Sequence, residues 1–356
     1  MASTMKSNAL FVDENSVFGV SPVQTVPDPN EGEILVEVQY SGANPADIKH
    51  VTLLGVNSTV LGYDFCGKVL KAPLSSAFSL GNVIAGYTPT GIDRPSKYGS
   101  HQQYLICPED MAFSVPANLP PQHAACLSVV LMTAADALYN IFKLPLPQEA
   151  PNNHPTGPLL IWGASSSVGI CAVQLARASG IYPIFVTASP ERHPLLLEMG
   201  ATRCFDYKGP DVATVIGRAL TDAHCDALHY GFDAVGSQGS TSSALLLARC
   251  TSKDAKLASV TIQNDHRFKL PFATPNRDVM FKMASVPHPI TIAARPDDYQ
   301  RVRKALQWVI ANYNGSFLFP SVEVFEGTAQ CALEELKSLA DGGRGFGKLV
   351  LKHPLR

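Results

Sequence analysis

The stretch from Leu159 to Gly169 constrains this chain more than any other. Leu159-Leu160-Ile161-Trp162 is an apolar run long enough for a buried strand and too short for a helix. Gly163-Ala164-Ser165-Ser166-Ser167-Val168-Gly169 follows, and a helical pattern continues to Ala178, with Gly180 as its C-cap. A tight turn from a buried strand into a helix aims backbone N–H groups and the positive helix end at one point, which is a cradle for a pyrophosphate. Gly163 permits the turn, and Gly169 lets the helix pack close to the strand. Ser165, Ser166, Ser167 and Val168 form the rest of the cradle, the serines being small and able to donate. Ser166 stands where a dinucleotide fingerprint has its middle glycine, so a strand–turn–helix with no ligand is the competing reading.

The next strand, expected over 182–187, runs into Thr187-Ala188-Ser189-Pro190-Glu191-Arg192. A carboxylate at the end of this strand selects NAD by binding the ribose hydroxyls. Positions 187–189 carry none. Ser189 and Arg192, with Glu191 between them and Tyr207 at the end of the following strand, are candidates to hold a 2′-phosphate, which a carboxylate would repel. The expected cofactor is therefore NADPH. The alternative for Arg192 is an ordinary solvated helix residue.

Strand-like runs recur near 203–207, 227–235 and 256–262, alternating with helical stretches. That rhythm implies a doubly wound parallel sheet, so an α/β Rossmann unit. Val260 and Thr261 join the cofactor group at the end of the last of these runs. Upstream the texture differs. Residues 33–40 place Ile34, Val36, Val38 and Tyr40 on one face, a half-buried strand. Short β-like runs and glycine turns continue to about 110, and an apolar helix is expected over 122–142. Prolines 145, 147, 151, 155 and 158 then mark a linker, since proline removes a backbone donor and stops a helix. A closing strand is expected over 348–351.

With 356 residues, 46% hydrophobic and 16% charged, the chain has material for two domains with real cores. The expected division is a β-rich domain over 1–150 and 311–356, and the cofactor domain over 151–310. A formal net charge of −2 gives no footprint for nucleic acid or an anionic membrane. Eight dispersed cysteines include no Cys-x-x-Cys pair and read as small buried hydrophobes of a reducing compartment. Met1–Asn8 shows no basic segment leading into an apolar one, and no apolar run is long enough to span a bilayer; a cytoplasmic protein is the expectation.

Several stations occur in an order that resembles the medium-chain dehydrogenase/reductase superfamily over essentially the whole chain. They are Gly-Glu-Ile-Leu-Val-Glu-Val (32–38), Asn44-Pro45-Ala46-Asp47-Ile48-Lys49, Leu61-Gly62-Tyr63-Asp64-Phe65-Cys66-Gly67, Tyr98-Gly99-Ser100-His101-Gln102-Gln103-Tyr104, Ala124–Thr133 and the Gly163–Gly169 loop. The resemblance implies a GroES-like substrate domain joined to a Rossmann domain. The sequence is most similar to zinc-free quinone and enoyl reductases, and among them to the stand-alone enoyl reductases that serve fungal polyketide synthases in trans. Zinc alcohol dehydrogenases of this plan carry a Cys near 44 and Gly-His-Glu near 62–64; here Asn44 and Gly62-Tyr63-Asp64 stand there, so no metal is expected.

Without zinc, such a plan implies reduction of an activated C=C bond: hydride reaches the β-carbon, and the enolate needs a cation or donor and then a proton. The resemblance places Lys49 and Thr133 at the active site. Lys49 is expected to meet the developing charge or hold cofactor ribose hydroxyls, with Ala46 and Asp47 beside the cofactor. Thr133 is expected to bond the nicotinamide or the substrate carbonyl, and Tyr63 to donate a proton. Asp47 and Asp64 also read as structural. Residues 134–142 are expected to line the substrate channel, and Arg344 and Gly345 to return to the cofactor. The substrate would be a small molecule or an acyl chain on a carrier protein, the partner a polyketide synthase, and the chain a monomer or homodimer. A quinone or small-enone reductase and a catalytically silent cofactor-binding protein are the rival readings.

Overall fold

The computed structural model describes residues 7–22, 26–149, 156–239, 241–273, 276–283 and 286–356. Residues 1–6, with most of the chain start discussed above, and Pro151 and Pro155 of the proline-rich segment lie outside them. Contacts divide the chain into two units: Met1–Val129 with Pro275–Arg295 and Pro320–Arg356, and Val130–Thr274 with Pro296–Phe319.

The first unit is β-rich. A seven-stranded sheet runs in the order Ser321–Phe325, Gly347–Lys352, Glu33–Gly42, Asp64–Lys71, Val83–Gly86, Ala112–Ser114, with Tyr104–Pro108 also paired to Glu33–Gly42. A smaller sheet joins Phe18–Pro22, Asn8–Val12 and Thr59–Val60. The helices Ala46–Leu54 and Ala329–Gly342 pack over a core that includes Leu10, Val51, Leu333, Leu336 and Leu351. Two register shifts in the pairing of Glu33–Gly42 with Asp64–Lys71 mark irregularities within that pair. This unit is the GroES-like domain.

The second unit holds six parallel strands in the order Arg203–Phe205, Ile184–Thr187, Leu159–Trp162, Tyr230–Asp233, Lys256–Ser259, Phe268–Lys269. Numbered by sequence, that is 3-2-1-4-5-6, the doubly wound Rossmann order, with its switch point between Leu159–Trp162 and Tyr230–Asp233. Leu159–Trp162 is wholly buried, as its unbroken apolar run requires. The helix Ser167–Ala178 follows the glycine loop, and Gly180 beyond it adopts φ +71°.

Several elements are shorter than the sequence suggests. The second strand starts only at Ile184, after Pro183, which has no N–H to give the ladder. The strands expected over 227–235 and 256–262 contract to Tyr230–Asp233 and Lys256–Ser259, because beyond those ends the backbone turns onto side-chain acceptors. The single helix expected over 122–142 is instead Pro121–Ala124, Ser128–Ala135 and a π-helical turn Asp136–Ile141. In that turn the buried Asp136 carboxylate accepts from Asn140 Nδ2 at 2.7 Å and from the Phe272 N–H at 3.0 Å.

The unit boundaries differ from 150 and 310. Residues 130–149 pack in the second unit, where Arg301 donates to the Leu144 carbonyl and Lys256 to that of Phe142. The hairpin Val279–Phe281/Ile290–Ile292 belongs to the first: the Ile92 N–H donates to the Met280 carbonyl and the Lys282 N–H to that of Leu54. Among the described residues, no helix is long and apolar enough to cross a membrane. Cys66, Cys107, Cys126 and Cys171 are buried, and burial pushes the Cys66 and Cys126 thiols up to about 12.

Candidate functional site

The carboxyl ends of the parallel strands in the second unit gather most of the candidate cofactor residues. Gly163 has φ +75°, and a Cβ there would collide with the Val235 side chain, so only glycine fits. A Cβ at Gly169 would lie 2.7 Å from both the Ala164 Cα and the Gly163 carbonyl oxygen, which is why helix and loop approach so closely. Ser166 is the N-cap of Ser167–Ala178: its hydroxyl accepts from the Gly169 N–H at 3.0 Å and donates to the Ala234 carbonyl at 2.9 Å. The residue that departs from the glycine fingerprint therefore ties the loop across the switch point.

Neighbouring side chains brace the same edge. Thr187 Oγ1 accepts from the Gly163 N–H at 3.0 Å. The buried Asp233 carboxylate accepts from the N–H groups of Val235 and Gly236 and from Ser259 Oγ. Thr261 Oγ1 accepts from Gln238 and Gln263, and the Val260 N–H donates to the Asp233 carbonyl. These groups make a hydrogen-bonded rim along the carboxyl edge of the sheet, next to the N-terminus of Ser167–Ala178, where a helix end could receive a phosphate. Asp233, Ser259 and Gln238 were not among the residues singled out from sequence; the Asp ending an apolar strand run was the available signal.

Beyond the second strand, Ser189 begins the turn Pro190–Arg192, and its own hydroxyl makes no capping bond. Arg192 lies 3.9 Å from Glu191 in a half-exposed ion pair. Tyr207 is exposed after the third strand, with the Lys208 ammonium 5.6 Å from its ring centre. Lys208, a second cation at this edge, was overlooked in the sequence. Thr133 sits part-buried on the helix Ser128–Ala135, and residues 134–140 are buried.

In the first unit, Ala46, Asp47 and Lys49 share the helix Ala46–Leu54, with Lys49 exposed and Asp47 buried. Tyr63 is buried, and its hydroxyl lies 3.0 Å from His50 Nδ1 and accepts from Thr90 Oγ1 at 3.2 Å. The Arg94 guanidinium stacks 4.7 Å from the Tyr63 ring centre. Burial raises the Tyr63 pKa, against the pull of Arg94, and burial lowers that of His50 to about 4. His50 is a further group that sequence reasoning passed over, although it directly follows Lys49.

Asn44 and Asp64 form a separate buried array. Asn44 Nδ2 donates to Asp64 at 3.0 Å, the Val129 N–H donates to its other oxygen at 2.9 Å, and Lys348 Nζ donates to Asn44 Oδ1 at 2.8 Å. Burial pushes Asp64 up to about 7, while Lys348 and these donors favour its anion. Arg344 is ion-paired with Glu323 and Glu335, and Gly345 takes φ +49°. Among the described residues, no group of three or more His, Cys, Asp or Glu side chains is arranged to hold a metal ion.

Two family models match: an alcohol dehydrogenase GroES-like domain over residues 30–117, and a zinc-binding dehydrogenase domain over 167–310. A zinc-type alcohol dehydrogenase-like protein of Schizosaccharomyces pombe is 30% identical over 239 residues, which cover 66% of this chain and 67% of that protein. The chain belongs to the medium-chain dehydrogenase/reductase superfamily. Within that superfamily, it is 30% identical to the trans-enoyl reductase resD of Aspergillus sclerotiorum over 193 residues, 51% of this chain and 54% of resD. It is 33% identical to the trans-enoyl reductase himH of Aspergillus japonicus over 210 residues, 58% of this chain and 59% of himH. The matched stretches thus span little more than half the length of these two relatives. At the level of fold, the CurK enoyl reductase structure superposes with a TM-score of 0.69 at 15% identity, covering 98% of this chain and 99% of its own.

Proposed function

We propose that this superfamily member is an NADPH-dependent, metal-independent enoyl reductase acting on an α,β-unsaturated thioester or enone, and that its substrate is an acyl chain carried by a polyketide synthase. The reading is carried by Lys49: on the helix that follows Asn44-Pro45, it exposes a cation suited to a developing enolate, whereas Asn44 is bonded within the fold. The curated relatives named trans-enoyl reductases support the same substrate class.

The Gly163–Gly169 loop, Ser165, Ser166, Ser167 and Val168 would hold the pyrophosphate. Ser189, Arg192, Tyr207 and Lys208 would take the 2′-phosphate, and Val260 and Thr261 border the dinucleotide. The bound nicotinamide supplies the hydride. Lys49 stabilises the enolate oxygen or orients ribose hydroxyls, and Thr133 orients a carbonyl through its hydroxyl. Tyr63 is the candidate proton source, its hydroxyl held between His50 and Thr90.

The deciding experiment follows NADPH consumption with carrier-linked enoyl thioesters set beside free enones and quinones. Faster turnover of the carrier-linked substrate is expected. Turnover confined to quinones would replace the reading with quinone reduction, and cofactor binding without turnover of any substrate would replace it with a silent binding protein.

A further inference from the structure

The strand Glu33–Gly42 changes neighbours along one edge. Over Glu33–Glu37 that edge pairs with Tyr104–Pro108, and over Tyr40–Gly42 with Gly347–Lys352. At the change, the Val38 N–H donates to the Gln103 carbonyl at 2.8 Å, and the Gln39 carbonyl accepts from the His353 N–H at 3.0 Å. The pairing with Asp64–Lys71 has a register shift at the same place, between Val38 and Tyr40. Where these strand ends part, the first unit has a recess of about 290 Å³, whose wall includes Glu37, Gln39, Tyr40, Lys68, Lys352 and His353. That volume suits a small ligand, since small-molecule sites begin at roughly 300 Å³.

Glu37 stands directly opposite Lys68 in the strand pairing, so both side chains rise from the same face of the sheet. Opposite charges so placed ordinarily pair. Among the described residues, neither side chain has an ion-pair or hydrogen-bond partner, and both border the recess. The second cation, Lys352, is already held by Glu326 at 2.9 Å. One uncommitted anion and one uncommitted cation therefore border the same small space. A ligand that is only an anion would gain from Lys68 and be opposed by Glu37, and a lone cation would meet the reverse. A ligand carrying both charges on neighbouring groups satisfies the two at once. His353 adds an open polar group to this wall. It is 8% exposed, its Nε2 lies 2.8 Å from Ser41 Oγ, and its Nδ1 is buried without a hydrogen-bond partner in the protein. Buried ring nitrogens ordinarily have such a partner.

We propose that this recess binds a small free α-amino acid, with its ammonium on Glu37 and its carboxylate on Lys68. Gln39, Tyr40 and His353 complete the polar wall around it. The site lies wholly within the first unit, and it does not rest on the proposed reduction.

The test titrates the ¹⁵N-labelled full chain with glycine and L-alanine, and separately with acetate and methylamine, each of which carries only one of the two charges. Backbone amide shifts of Glu37, Val38, Gln39, Tyr40, Lys68 and His353 locate the binding. The amino acids are expected to saturate these shifts with a dissociation constant of about 1 mM or tighter. Acetate and methylamine should bind at least about tenfold more weakly, because each makes one charge-assisted contact where the amino acid makes two. Glu37→Gln and Lys68→Gln should each weaken amino-acid binding about tenfold. Lys68 is exposed and Glu37 only part-buried, so both variants should keep the thermal midpoint of the parent. Three results would overturn the proposal: no saturation at about ten times the expected constant, acetate or methylamine binding as well as the amino acids, or amino-acid binding unchanged in both variants.

Discussion

Replacing Ser166 with alanine removes two hydrogen bonds at once. The hydroxyl caps the helix Ser167–Ala178 through the Gly169 N–H and reaches the carbonyl of the buried Ala234 just past the fourth strand. Loss of an N-cap to alanine costs about 1 kcal/mol. An ordinary hydrogen bond to the carbonyl adds roughly 0.5–1.5 kcal/mol. The expected total is roughly 1.5–2.5 kcal/mol. Ser166→Gly keeps a tolerated cap residue and loses mainly the bond to Ala234, so it should cost about 1 kcal/mol less than alanine. Both tryptophans of the chain, Trp162 and Trp308, lie in the second unit, so urea unfolding followed by their fluorescence reads the unit that carries the change. NADPH affinity should fall in the same order, because the loop loses its tie to the switch point. A Ser166→Ala protein within about 0.5 kcal/mol of the parent, the range of an ordinary surface substitution, would refute the tie.

Other expectations concern cofactor, catalysis, metal and pH. NADPH should bind at least about tenfold tighter than NADH, and Arg192→Ala should weaken NADPH alone; equal affinities in titration would remove the 2′-phosphate assignment. Lys49→Ala should lower kcat by about 10²-fold if Lys49 meets the enolate, whereas a loss confined to NADPH affinity would move its role to the ribose. Thr133→Val should be milder, costing roughly 0.5–1.5 kcal/mol in transition-state binding. Exhaustive chelation should leave turnover intact, and elemental analysis should find no stoichiometric zinc. His50 is lowered from 6.5 to about 4 in the folded chain, so the stability it contributes is present above pH 6.5 and is lost as pH falls toward 4. His50→Gln should flatten that part of a stability-versus-pH curve measured by urea unfolding, and an unchanged acid limb would count against burial as the cause.

What the sequence alone determined is what neighbouring residues control. A run of four apolar residues, a glycine that must turn and a serine-rich start define the strand, the Gly163–Gly169 loop and the helix after it, because torsional freedom and hydrophobic period act over a few residues. The lack of a carboxylate over 187–189 is legible in the same way, and so is the Rossmann rhythm of alternating elements. Only the tertiary structure decided which partners the polar side chains found. Ser166 finds the Ala234 carbonyl 68 positions away, and Ser41 finds His353 312 positions away. Tyr63, expected to donate a proton, has its hydroxyl beside His50 and Thr90, and the helix expected to run through 142 becomes a π-turn around Asp136. The hairpin at 279–292 joins the β-rich unit through backbone bonds that no local pattern announces. A hydrogen bond needs its partner within about 3 Å, and which residues come that close is set by the folding of the whole unit rather than by residue type.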